Sequence, residues 1–469
     1  MSDVAELNAA EAGVLIQGHG SDAWIAEIGE LMKLAGPLIF TQLAQMAIMT
    51  TDVLMLGHIG KTALAGAALG NTMFFFGWLI GTGPGAAVSP MIAHILGATP
   101  NNRAGVRAVT RMGLWSVLIM SVPLIVLMFF TRPILMALGQ SAELADAAAR
   151  FVVPLSFGLP FTLGFQVLRN YSTALSKPNA SLVVMLFSIG FNALGDYALI
   201  FGHFGFPRLG LTGSGVASAC SLAFSFFAML VVIRMTPKLR RYRVFRRFHR
   251  PDWSKLMELY RLGMPIGMTM IFEAMLFNSA TLIMGTFGTA TVAAHQISLN
   301  VPSITFMVPL GVAMAATVRV GLAAGAGDRE AVRRAGWSAI AIATSFMVIC
   351  ALLIWNFPQQ IAEFYFGADL KANADAIALT VVFLHVAAAF QVVDGMQVAA
   401  ALSLRGLKDA RAPMWIAGAS YWLCGAPVGL WLAFGEHLKG LGVWMGLAFG
   451  LTVAAGLLTT RFWYLSRDA

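Results

Sequence analysis

Apolar residues in this chain come in long blocks, not in the short alternations of half-buried strands or the one-sided stripes of soluble helices. Runs long enough to cross a hydrocarbon layer as helices recur about twelve times, at roughly 35–56, 64–96, 112–130, 151–167, 182–201, 212–233, 256–287, 290–324, 335–354, 377–404, 414–434 and 442–462. Many glycines and several prolines lie inside these runs, which lipid-embedded helices tolerate and tight helix contacts favour. The pattern predicts an all-α polytopic membrane protein of twelve transmembrane helices, kinked and closely packed.

A polar, basic stretch, "PKLRRYRVFRRFHRPDWSK" at 237–255, divides these runs six and six. At an offset of 228 residues, Leu31, Leu34, Pro37, Leu54, Gly57, Gly60 and Ala65 fall on identical residues of the second half, and Lys33 falls on Arg261. Farther along, "QVLRNYSTALSK" at Gln166 and "QVAAALSLRGLK" at Gln397 align at an offset of 231. The halves read as two pseudo-symmetric six-helix bundles in one orientation, able to enclose a central cavity that opens to either side. The expected boundaries are a cytoplasmic N-terminal segment with an interfacial helix at 1–30, a first lobe at 31–235, a basic linker at 236–255 and a second lobe at 256–464.

Composition agrees: 58% of residues are hydrophobic and only 11% charged, with a mean hydropathy of +0.76. The net charge of +9 could suggest nucleic acid, but the cations cluster at alternate loops, as topology requires. One set of loops holds Arg103, Arg107, Arg111, Arg169, Lys177, the stretch at 237–255, Arg329, Arg333, Arg334, Arg405, Lys408 and Arg411; the other shows only scattered cations such as Lys61, Arg132, Arg208, Lys371 and Lys439. The first set is expected to be cytoplasmic, with both termini on that side of a cytoplasmic (inner) membrane. Asp3, Glu6, Glu11 and Asp22 precede the first run, with no signal peptide. "SDAWIAEIGELMKL" places Trp24, Ile25, Ile28 and Leu31 on one face behind a capping Ser21, which reads as an interfacial helix. Cys220, Cys350 and Cys424 have no paired or metal-ligand spacing and read as packing residues.

Four carboxylates stand inside apolar runs: Asp52, Asp196, Glu273 and Asp394. A charge there is costly, so its default meaning is functional. Counted from the nearest basic helix ends at 1.5 Å per residue, Glu273 and Asp394 lie roughly 17 Å deep and Asp52 and Asp196 roughly 28 Å deep, one pair in each half. At the repeat offset Glu273 falls on Gln45 and Asp52 on Ala280, so each half keeps acids where the other has none. Two carboxylates in a low-dielectric site repel one another, and a proton or bound cation relieves that repulsion. The pairs are therefore candidate coupling sites for a proton or a bound cation, with no other cofactor expected.

Polar residues support the pairs. Asn192 precedes Asp196 by one helical turn, Ser218 lies in the next run, and Gln42 and Gln45 share a face of the first. Gln45, Ser218, Phe272, Phe277, Phe390 and His295 are candidate substrate contacts, the aromatic rings being suited to a lipophilic cation. "GTGPGAAVSP" at Gly81 lacks the strand and lysine of a nucleotide loop and reads as bent membrane helix. No HExxH, GxSxG or Walker pattern occurs, so neither ATP hydrolysis nor intramembrane proteolysis is supported and the chain does not read as an enzyme.

"PLIFTQLAQMAIMTTDVLMLGHIG", "IFEAMLF", "AAHQISLN", "VRVG" and "QVVDGMQVAAALSLRGLKDARAP" resemble the multidrug and toxic compound extrusion (MATE) family, NorM-type branch, over nearly the whole chain. The resemblance implies a twelve-helix fold of two bundles that exports organic cations in exchange for Na⁺ or H⁺. By position it implies that Glu273 and Asp394 form a cation site in the second lobe, as the candidate Na⁺ ligands, and that Asp52, with Asn192 and Ser218, belongs to a site in the first. Asp196 stands where many NorM-type proteins have Asn, and Phe390 where some have Tyr. The function expected is multidrug efflux antiport of cationic amphipathic compounds by alternating access, working as a monomer among membrane lipids without nucleic acid. A flippase for lipid-linked saccharides, which would need a cationic cavity, and a gated channel are the alternatives.

Overall fold

The computed structural model describes residues 20–57, 61–246, 248–367 and 373–468, which are helical with no strand. The helices are α1 (Ser21–Gly57), α2 (Lys61–Ala98), α3 (Arg103–Phe129), α4 (Thr131–Ala137), α5 (Ala142–Ser156), α6 (Leu159–Ala174), α7 (Asn179–Phe201) and α8 (Gly210–Met235). They continue as α9 (Pro237–Arg240), α10 (Trp253–Gly285), α11 (Thr289–Ala326), α12 (Arg329–Asn356), α13 (Pro358–Phe366), α14 (Ala374–Gly406), α15 (Arg411–Gly418), α16 (Ala426–Leu430) and α17 (Gly440–Asp468). Two π-helical segments, Ala419–Gly425 and Trp431–Gly435, flank α16. Among the described residues eleven spans are long and apolar enough to cross a membrane, and a bent pair makes the twelfth.

That bent pair corrects one expectation. The run at 151–167 is not one helix: α5 and α6 meet at 48°. Gly158 lies between them and Pro160 sits in the first turn of α6, where its missing N–H costs nothing and its ring ends the preceding helix. The glycine-rich stretch after Gly81, by contrast, is helical throughout, within α2 and with Pro84 and Pro90 inside. The acids Asp3, Glu6 and Glu11 and the cation Lys371 lie outside the described residues.

The chain forms two compact units, and they do not divide where the basic stretch stands. Among the described residues one unit holds Phe40–Gly267 and the other 20–39 and 268–468. The divisions fall inside α1 and α10. At the start of α10, a Cβ on Gly263 would lie 2.5 Å from Pro84 Cα, so this helix meets α2 backbone to backbone. The start of α1 joins the second unit: a Cβ on Gly311 of α11 would fall 2.5 Å from the Ile39 side chain. Its buried stripe is Ala23, Glu27, Leu31, Leu34 and Leu38, not the face of Trp24, Ile25 and Ile28, and α1 runs without a break from Ser21 into its span.

Glu27 is a buried acid that the apolar runs do not flag. Arg319 of α11 grips it in a fork, Nε donating to Oε1 at 2.7 Å and Nη2 to Oε2 at 2.6 Å, with side chains only 4% and 1% exposed. Such bidentate geometry is what a buried ion pair needs to offset desolvation.

In the first unit, α2 packs on α3, α5 and α6, and α8 on α5, α6 and α7. The basic stretch is folded onto this unit. Tyr171 Oη donates to the Leu239 carbonyl at 2.7 Å, Trp115 Nε1 to that of Phe248 at 2.9 Å, and Arg241 bonds Asn101. Leu239, Tyr242 and Val244 are buried there, so these residues cap the unit. In the second unit α14 is central, packed on α11, α12 and α17. Gly425 and Gly429 face Gly446 and Gly450 of α17, and a Cβ on Gly446 would fall 2.3 Å from Gly429 Cα. Two small-xxx-small motifs thus meet, as lipid-embedded interfaces favour. Of the cysteines, Cys350 is buried, Cys424 partly so and Cys220 exposed, which removes Cys220 from the packing role expected of it.

Glu27→Ala strands a buried guanidinium and is expected to destabilise the purified protein by about 3–5 kcal/mol, read from its unfolding midpoint in detergent. Glu27→Met with Arg319→Met should recover most of that loss; a single variant as stable as wild type would show that the pair contributes nothing. Gly446→Leu is expected to lower the same midpoint, because no side chain fits the seam.

Candidate cation sites

In the first unit, the predicted residues Asp52, Asn192, Asp196 and Ser218 converge. The half of α1 beyond Ile39 brings Asp52 to the seam between α7 and α8. That seam is small and polar, with Ser188 Oγ and Ser225 Oγ 2.7 Å apart and Asn192, Asp196, Ser214 and Ser221 buried along it. Spacings of four residues, Ser188–Asn192–Asp196 on α7 and Ser214–Ser218 on α8, stack these groups on facing sides of the two helices. Ser218 Oγ donates to Asp52 Oδ2 at 3.5 Å. Asn192 and Asp196 also face the Asp52 carboxylate, yet no hydrogen bond of ordinary geometry closes. Asp52 Oδ1, both oxygens of Asp196, both ends of the Asn192 amide and Ser214 Oγ are buried without a partner.

So many unpartnered polar atoms in one place mark a site built for something to bind, since buried polar groups are normally hydrogen-bonded. Two carboxylates side by side in low dielectric need a proton or a cation between them. Gln45 is half-buried, and Gln42 Oε1 on the same face accepts from Arg169 Nη1 at 3.0 Å.

In the second unit the predicted acids also meet. Glu273 on α10, beyond the division at Gly267, interacts electrostatically with Asp394 and with Arg405, both on α14. Asp394 is 8% exposed, and its Oδ1 has no partner. One turn on, Gln397 Nε2 donates to Tyr421 Oη at 2.6 Å. Tyr421, fully buried on the π-helical segment after α15, is within electrostatic reach of both acids. The π register of Ala419–Gly425 sets which side chains turn inward, a use π-segments often serve at functional sites. Sequence reasoning missed Tyr421 because a tyrosine in an apolar run usually packs; Gln397 had entered only as a repeat marker, and Arg405 only as a topological cation.

The predicted aromatics lie in the apolar core of this unit. Phe272, Phe277 and Phe390 belong to one cluster with Leu276, Trp444 and Leu447. Trp422 Nε1 donates to the Phe272 carbonyl at 3.3 Å, and Phe390 is 5.7 Å from Trp444, centroid to centroid. His295 is buried against Trp444 at 5.6 Å, its Nε2 3.1 Å from Thr281 Oγ1. These residues brace the elements that carry the acids. Among the described residues no three of His, Cys, Asp and Glu gather to hold a metal, so a cation at Glu273 and Asp394 would need neutral oxygens as well.

The MatE family profile matches residues 37–198 and 265–431, each segment covering most of one repeat and together containing all four acids. A "Probable multidrug resistance protein NorM" from Mesorhizobium japonicum is 42% identical over 95% of both chains, and one of the same name from Brucella suis is 40% identical over 94% of both. Among solved structures, the eukaryotic MATE transporter AtDTX14 superimposes with a TM-score of 0.83 at 20% identity over 95% of this chain and 98% of its own. A mutant of the Vibrio cholerae MATE transporter VcmN gives 0.84 at 17% identity over 96% and 99%. With both repeats matched and identity near two-fifths along almost the whole length, the chain belongs to the MatE family and is a multi-pass membrane transporter, not an enzyme.

Proposed function

We propose that this transporter exports cationic, amphipathic compounds across the cytoplasmic (inner) membrane in exchange for Na⁺ or H⁺, with both termini cytoplasmic. The observation that carries this reading is the pair of carboxylates in each unit, set on membrane helices, with buried oxygens of Asp52, Asp196 and Asp394 that have no partner. A membrane protein keeps such groups where an ion or proton must come and go. Acidic sites in apolar surroundings suit cations, and the names of the curated relatives support a drug-like cargo.

Coupling follows from charge. An empty pair carries repelling negative charge, and binding a proton or cation removes it, so the two forms of each unit favour different packings of the helices that bear the acids. Substrate cations and coupling ions then draw on the same negative charge, so binding of one disfavours the other. The ion gradient supplies the free energy, consistent with the lack of any nucleotide-binding motif in the sequence. In the second unit Arg319 is held by Glu27, Arg334 by Glu330, and Arg405 lies within electrostatic reach of Glu273, which leaves little to recognise the phosphates of a lipid-linked saccharide.

Uptake of a fluorescent organic cation into inside-out proteoliposomes, under an imposed Na⁺ gradient and separately an H⁺ gradient, tests the reading. Glu273→Gln and Asp394→Asn are each expected to reduce driven uptake by at least about a hundredfold, the equivalent of roughly 2.7 kcal/mol, with normal expression. Unchanged uptake in both variants, or uptake under neither gradient, would sink it. In the first unit, Asp196→Asn relieves a repulsion, so it is expected to raise the unfolding midpoint in detergent, by about 1 kcal/mol or more, while impairing transport. A fall in that midpoint would make Asp196 a structural residue.

A further inference from the structure

Two carboxylates do not make a shell for a cation, and the second unit holds the missing neutral ligand. Gln397 sits one helical turn from Asp394 on the same face of α14 and is 4% exposed. Its amide cannot rotate freely, because Nε2 is committed to Tyr421 Oη at 2.6 Å. That bond fixes where the amide oxygen points. Gln397 Oε1 is buried with no hydrogen-bond partner, as is Asp394 Oδ1.

An amide oxygen held in place and left unpaired in a buried site costs on the order of 1–3 kcal/mol unless something binds it. A good acceptor with no donor, beside a carboxylate, is what a hard cation uses, since such ions take carbonyl and carboxylate oxygens. We propose that Gln397 Oε1 is a direct ligand of the coupling cation at Glu273 and Asp394, and that Tyr421 is the positioning residue that aims it. The inference rests on the reading of those two acids as the ion site.

The charges present set the valence of the ion. Arg405, also on α14, lies within electrostatic reach of Glu273, so part of the negative charge of the two acids is already offset. A monovalent cation brings less uncompensated charge into this buried site than a divalent one would. The neutral amide completes the shell without adding charge. Among metal ions, this favours monovalent Na⁺ over Ca²⁺ or Mg²⁺. The short Tyr421 contact also explains why a tyrosine sits fully buried on a π-helical segment, where a hydroxyl needs a partner.

The test is equilibrium binding of radiolabelled Na⁺ to the purified, detergent-solubilised full chain. Wild type is expected to bind, Asp394→Asn to lose binding, and an excess of Ca²⁺ or Mg²⁺ not to displace Na⁺. Gln397→Met, close in volume but without the oxygen, is expected to weaken binding at least about tenfold, and Tyr421→Phe, which frees the amide, by a smaller factor of about threefold to tenfold. Gln397→Glu keeps an oxygen there and is expected to retain binding. Should Gln397→Met prove unstable by its unfolding midpoint, Gln397→Asn withdraws the oxygen by one methylene and is expected to show the same loss. If wild type binds, Asp394→Asn does not, and the Gln397 and Tyr421 variants bind like wild type, the inference is overturned while the acid pair stands as the site. Na⁺ binding that survives Asp394→Asn, or no Na⁺ binding by wild type, overturns both, the second outcome leaving the proton as the coupling ion.

Discussion

Hydrocarbon offers no hydrogen bonds, and every feature of this chain answers to that. A charge in the membrane interior must find an opposite charge, a set of donors, or a mobile ion. The molecule uses each solution in a different place. Arg319 and Glu27 answer one another in a closed fork and leave nothing for a ligand to do. Asp52 and Asp196 in one unit, and Asp394 beside Glu273 in the other, keep buried oxygens without a partner. Within one protein, a satisfied buried charge thus stands beside unsatisfied ones, and it is the unsatisfied ones that are proposed as ion sites.

The scaffold keeps the incomplete sites open. In the first unit a seam of serines between α7 and α8 brings two helices close enough to hold Asp52 against Asp196 without filling the space with apolar side chains. In the second, an aromatic cluster around Trp444 braces α10 and α14, and a π-helical segment turns Tyr421 inward. The two units thus reach a similar chemical end by different local means. The repeat offset already shows this asymmetry, since neither acid pair has an acid at the equivalent position of the other half.

Much of this was legible in the sequence, because membrane helices declare themselves by length and intramembrane charges by contrast. Asp52, Asp196, Glu273 and Asp394 stand out for that reason, and their pairing by depth matches the groups that the structure brings together. Glu27 was hidden in a polar flank, "SDAWIAEIGE", where an acid excites no notice, and its partner lies 292 residues away. Tyr421 and Gln397 were hidden by the opposite effect, since neither is charged. The exchange of the starts of α1 and α10 between units was illegible as well. It depends on contacts at Gly263 and Gly311, and a glycine inside a membrane run says that something comes close without saying what.

The glycine seam between Gly425, Gly429, Gly446 and Gly450 has a thermodynamic consequence of its own. Its contact is backbone against backbone, so no rotamers are frozen and little water is displaced on forming it within a bilayer. What holds it is dispersion between closely fitted surfaces. Such a contact leaves almost no heat-capacity signature, unlike the burial of apolar surface from water. Its strength should therefore stay nearly constant as temperature falls, while contacts that bury apolar surface from water follow the ordinary curved stability of soluble proteins.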